Sequence, residues 1–100
     1  MPEKLNDESI SGWLDARNGW KRKGDAKGDA LVKNFRFPSF RDSIVFVNRM
    51  ATLADDNNHH PDIDIRYDQV RVTLSTHDAG GITEKDLQMA EQIDFATSAR

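Results

Sequence analysis

One hundred residues, 37% of them hydrophobic and 31% charged, are enough for one globular domain and hardly for two. There is no cysteine, which excludes disulfides, iron–sulfur clusters, thiolate zinc sites and thiol nucleophiles, so any chemistry falls to other side chains. The net charge of −3 is divided unevenly: residues 1–54 carry ten Lys/Arg against seven Asp/Glu, while residues 55–100 carry four against ten together with all three histidines, His59, His60 and His77.

The first predicted element is a helix capped by Asn6 or Asp7 and running to about Arg17, with Ile10, Trp13 and Leu14 on one apolar face and Gly19 after its end. A short strand over residues 20–23 is expected to turn through a long loop, Gly24-Asp25 and Gly28-Asp29, into a second strand over residues 31–37. Leu31, Phe35 and Phe37 share one face of it. Pro38 closes that strand, and Ser39 with Asp42 resembles a capping box that opens a long helix to about Asp56. Phe40, Ile44, Val47, Ala51 and Ala54 form one inward stripe and Phe46, Met50 and Leu53 a neighbouring one, before Asn57-Asn58 and Pro61 stop the helix.

Hydrophobic parity then switches from odd positions (Ile63, Ile65, Tyr67) to even ones (Val70, Val72, Leu74). That switch predicts a hairpin with a two-residue turn at Asp68-Gln69, pairing 67 with 70, 65 with 72 and 63 with 74, at the expense of setting Arg66 opposite Arg71. After a loop at residues 78–81, Thr83 and Asp86 open a last helix through about Ala96, with Leu87, Ala90 and Ile93 inward. Helix, two strands, helix, two strands, helix describes a single α+β domain over residues 1–100, with helices on one face of a four-stranded antiparallel sheet and the other face polar.

The candidate chemistry lies in the acidic half. Imidazoles are the side chains best suited to proton transfer near neutral pH. Extending the hairpin register sets His60 opposite His77 and Pro61 opposite Thr76, which brings two imidazoles to cross-strand distance, roughly 4.5 to 5.5 Å between Cβ atoms. Asp55 stands one helical turn before His59 and is placed to orient that ring and raise its basicity. Strict extended geometry sends His59 and His60 to opposite faces, so convergence of all three requires a twist between Asn58 and Pro61. A plainer alternative leaves the histidines as surface residues and Asp86 as a helix N-terminal carboxylate. Adjacent histidines are an awkward chelating pair and no His-x-x-x-His spacing occurs, so no metal is expected.

These residues resemble the pterin-4a-carbinolamine dehydratases. That family's pattern is an acidic residue, three others, His-His-Pro, five more and an aromatic, nine more and a histidine, then an aspartate; Asp55, His59-His60-Pro61, Tyr67, His77 and Asp86 match it at every spacing. The run from Thr73 through Gly81 and the Phe35-Arg36-Phe37 segment are also similar, and the likeness extends from Trp20 to Ala96. The resemblance implies dehydration of a 4a-hydroxytetrahydropterin to the quinonoid dihydropterin in tetrahydrobiopterin recycling, a lyase reaction without a cofactor. It carries catalytic roles to His59, His60 and His77, supporting ones to Asp55 and Asp86, and pterin contacts to His60, Trp20 and Thr76. Ile63 stands where many members have tryptophan. The family resemblance further implies a homo-oligomer, a dimer or tetramer.

Two other classes compete with catalysis. The family has relatives that act as a transcription-factor partner or resemble carboxylase assembly factors, so a non-catalytic module on the same fold is the alternative. Lys21, Arg22, Lys23 and Lys27 suggest nucleic-acid binding, yet the interspersed Asp25 and Asp29 and the acidic chain make a solvated hairpin the better explanation. No apolar run approaches the roughly 20 residues of a membrane helix and residues 1–10 lack a basic-then-apolar leader, so a cytoplasmic protein with no membrane partner is expected.

Overall fold

In the computed structural model, which describes residues 3–25 and 28–98, the first helix begins where a side chain satisfies a backbone donor. Asn6 Oδ1 accepts the Ser9 N–H at 2.8 Å, and α1 runs over Asp7–Asp15 with Asp7 and Glu8 in the turn where the dipole favours negative charge. It stops short of Arg17 because the Ala16 and Arg17 N–H groups close on carbonyls three residues back; Gly19, at φ +89°, then turns the chain.

Strands β1 (Lys21–Asp25) and β2 (Gly28–Arg36) pair antiparallel as far as Asp25 opposite Gly28. The long loop expected there is instead the end of the ladder; Lys27, part of the basic cluster, lies outside the described residues. Two interactions keep this end extended. The Arg22 guanidinium grips the Asp29 carboxylate through two nitrogens, and the Ser75 hydroxyl donates to the Asp29 carbonyl at 2.7 Å. Gly24 fits because a Cβ there would lie 2.6 Å from the Asp29 oxygen that Arg22 Nε holds.

Ser39 Oγ accepts the Asp42 N–H at 3.1 Å and opens α2 (Phe40–Asn57). The buried stripe is Ser43, Phe46, Met50 and Ala54, while Phe40 and Ala51, expected inward, are exposed. Phe46 decides that rotation: its ring lies 4.8 Å from Phe35 and 5.0 Å from Phe37, centroid to centroid.

The second hairpin, β3 (Asp62–Arg66) and β4 (Gln69–Leu74), keeps the expected parity but not the expected register. Ile63 opposes Val72 and Ile65 opposes Val70, and the turn is Tyr67-Asp68, with Tyr67 at φ +56°. Charge and hydrogen bonding both favour this shift. Asp64 now faces Arg71, replacing the Arg66–Arg71 opposition, and the Asp68 carbonyl accepts the Phe37 N–H at 2.8 Å. His60 and Pro61 therefore do not pair with His77 and Thr76; Thr76 instead bridges Gly81.

The sheet order is β1-β2-β4-β3, all antiparallel, and a 3₁₀ turn over His77–Ala79 leads to α3 (Glu84–Ser98). Ile10 of α1, Phe46 and Met50 of α2 and Leu87, Met89, Ala90 and Ile93 of α3 share one core with Leu31, Phe35, Val70, Val72 and Leu74 of the sheet. The chain is thus a single α+β domain in the expected element order. Among the described residues, no helix is long and apolar enough to cross a membrane.

Candidate active site

The site forms where α2 ends. Asn58 adopts the left-handed conformation, φ 49° and ψ 43°, and the His59 N–H reaches back to the Ala54 carbonyl at 3.1 Å. This reversal separates the two neighbouring imidazoles. His59 is drawn inward, its side chain 12% exposed, and its Nε2 lies 2.6 Å from Oδ1 of the fully buried Asp86. His60 points outward, and its Nε2 lies 3.1 Å from Asp55 Oδ1, both groups well exposed. Asp55 thus partners His60 rather than His59; the twist at Asn58 overrides the one-turn helical spacing on which the His59 pairing was expected.

Asp86 is anchored from three sides. Its Oδ2 accepts the Thr76 hydroxyl at 2.8 Å and the Thr83 N–H at 2.9 Å, while Oδ1 faces His59. The Thr83 half of the expected capping box is changed: its hydroxyl lies 2.7 Å from Thr76 Oγ1, and the Asp86 N–H goes to the Thr83 carbonyl. A carboxylate at a helix N-terminus is ordinary, but this one is also the inner partner of an imidazole.

Asn58, His59, His60, Ser75, Thr76, His77, Asp78 and Lys85 line one cleft of about 350 Å³, within the range of small-molecule sites. All three histidines therefore meet in one cleft, through the Asn58 twist and the 3₁₀ turn rather than through cross-strand pairing. His77 is exposed, and its ring makes no hydrogen bond among the described residues. Thr76 lines the cleft, and its hydroxyl is engaged with Asp86 and Thr83. Trp20 is not part of the cleft lining: it is 4% exposed, stacks edge-on against Phe35 and donates from Nε1 to Asp94 Oδ2 at 2.9 Å. Ser75, Asp78 and Lys85 were not singled out from the sequence, although each adjoins a residue that was.

A larger groove of about 660 Å³ crosses the open face of the sheet between Lys21, Lys23, Asn34 and Arg71. It contains no group suited to proton transfer near neutral pH, so the histidine cleft is the better candidate despite its size. Among the described residues, no three metal-ligating side chains cluster closely enough to hold an ion.

A small α+β domain thus sets a buried carboxylate behind one imidazole and brings two further imidazoles to the same cleft, with no thiol in the chain. Residues 3–96 match the family described as pterin 4 alpha carbinolamine dehydratase, and the chain belongs to that family. It is 47% identical over 90 residues to a protein of Thermomicrobium roseum provisionally named as such a dehydratase, covering 90% of this chain and 92% of that one. A Roseiflexus castenholzii protein with the same provisional name is 48% identical, over 94% of this chain and 97% of its own. Among solved structures, a transcriptional coactivator/pterin dehydratase from Brucella melitensis superposes with a TM-score of 0.87 at 31% identity, covering 94% of this chain and 98% of that one. A pterin dehydratase-like RuBisCO assembly factor of the α-carboxysome shares the fold at 24% identity and a TM-score of 0.70, covering 84% of this chain and 95% of its own.

Proposed function

We propose that the chain removes water from a 4a-hydroxytetrahydropterin to give the quinonoid dihydropterin, a step of tetrahydrobiopterin recycling. One proton is delivered to the departing 4a hydroxyl and another leaves ring nitrogen N5, so the transformation is proton transfer without oxidation and calls for no cofactor. The observation that carries this reading is the single cleft shared by His59, His60 and His77, with His59 backed by buried Asp86. In the proposal His59 and His77 handle the two protons, and His60, exposed beside Asp55, binds and orients the pterin.

The test is ultraviolet absorbance of freshly generated 4a-hydroxytetrahydropterin. Purified protein is expected to accelerate its decay, and the uncatalysed rate in its presence overturns the reading. His59→Ala and His77→Ala are each expected to lower kcat by roughly 10² to 10⁴, while His60→Ala raises KM more than it lowers kcat. A non-catalytic assembly role has the α-carboxysome fold neighbour in its favour, and turnover unchanged in both kcat variants would support it. We also propose self-association into a dimer or tetramer, supported by edge strand β3, where Ile63 and Ile65 are 37% and 38% exposed; sedimentation equilibrium tests it.

A further inference from the structure

The two buried threonine hydroxyls behind Asp86 have no part in the proton transfers described above. Thr76 and Thr83 are 6% and 0% exposed, and their hydroxyl oxygens lie 2.7 Å apart. A hydroxyl has one proton to give. Thr76 gives its proton to Asp86 Oδ2, so the Thr83 hydroxyl must be the donor to Thr76, and the chain of bonds runs in one direction, Thr83 to Thr76 to Asp86. The Thr83 N–H adds a second donor on the same carboxylate oxygen. Asp86 Oδ1 then remains as an acceptor aimed at His59, 2.6 Å from Nε2.

We propose that Thr76, supported by Thr83, is a positioning residue. By holding the Asp86 carboxylate, this hydroxyl relay fixes neutral His59 with its proton on Nε2 and leaves Nδ1 as the nitrogen that exchanges a proton with a molecule in the cleft. The relay acts through Asp86 and touches no reacting atom. It works as an orienting carboxylate does behind a catalytic imidazole, where the wrong tautomer forfeits most of the rate. The proposal about tautomer rests on geometry alone; its consequence for turnover rests on the dehydratase reading.

The experiment is long-range ¹H–¹⁵N correlation of the histidine rings at a pH where His59 is neutral, on wild-type protein, Thr76→Val, Thr76→Ser and Thr83→Val, beside kcat and KM of each for 4a-hydroxytetrahydropterin. Wild-type His59 is expected to report a protonated Nε2 and a bare Nδ1. Thr76→Val shifts it to a mixture of tautomers and lowers kcat about tenfold with KM within about twofold, and Thr83→Val moves both readouts the same way by less. Thr76→Ser, which keeps the hydroxyl, recovers tautomer and rate. A wild-type ring protonated on Nδ1 overturns the proposal, as does a wild-type tautomer in the folded valine variants; if Thr76→Val does not fold, Thr83→Val decides. Absence of dehydratase activity in the wild type would sink the dehydratase reading alone, since the tautomer is measured without substrate.

Discussion

The two aspartates of the site stand at opposite extremes of burial, and the same substitution has different consequences at each. Asp86 is completely buried and receives Thr76, Thr83 and His59. Asp86→Asn removes the charge and replaces one acceptor oxygen by an amide that donates, so the amide either meets a donor in a dry site or forces His59 into the tautomer with a bare Nε2; a loss of about 1–3 kcal/mol is expected in urea unfolding. Asp55 is largely exposed, and Asp55→Ala should change stability by less than about 1 kcal/mol, the ordinary worth of a surface pair. Equal losses in the two variants would contradict this division. At this scale the sequence is legible in residue types and opaque in pairings. The spacing from Asp55 to His59 is that of neighbours on a helix, yet His59 leaves the helix and finds a carboxylate 27 positions later, which only the folded chain brings near.

At the scale of elements, the site depends on how α2 terminates. Asn58 holds φ 49°, a conformation that asparagine tolerates and a β-branched residue does not. Asn58→Val is therefore expected to cost about 1–2 kcal/mol and to lengthen the His59–Asp86 contact, while Asn58→Gly should lie within about 1 kcal/mol of wild type. Thermal unfolding and a crystal structure of the valine variant check both halves. Element existence was readable from local chemistry: the Asn6 and Ser39 caps, the inward face of β2 and the parity switch between β3 and β4 all correspond to structure. What escaped were features that local rules disfavour. A tyrosine at φ +56° in a two-residue turn contradicts turn preference, so the register was expected two positions away. Likewise, Gly-Asp pairs signal a loop until Arg22 and Ser75, the latter 46 positions from Asp29, hold them in the ladder.

For the whole molecule, acid sensitivity should be concentrated at one end. The Arg22 hydrogen bond holds the Asp29 carboxyl below its ordinary value of 3.8, and Arg22 also binds Asp7 of α1. The hydrogen bond from Trp13, followed by the charge of Arg17, holds Glu91 below its ordinary 4.5 and ties α1 to α3. Both folded values are depressed, so the unfolded chain takes up protons first as pH falls. The stability these groups confer is complete above the ordinary carboxylate range and disappears as pH drops through the depressed values. Because both clusters attach α1, that helix should loosen before the sheet does. Hydrogen exchange compared between pH 6 and about pH 3, corrected for intrinsic rates, is expected to show α1 amides losing protection while β2 and β4 amides retain theirs. Arg22→Met should weaken α1 at pH 6 and reduce its further loss on acidification. Uniform loss of protection across α1 and the central strands would mean that the carboxylates act on the domain as one cooperative unit.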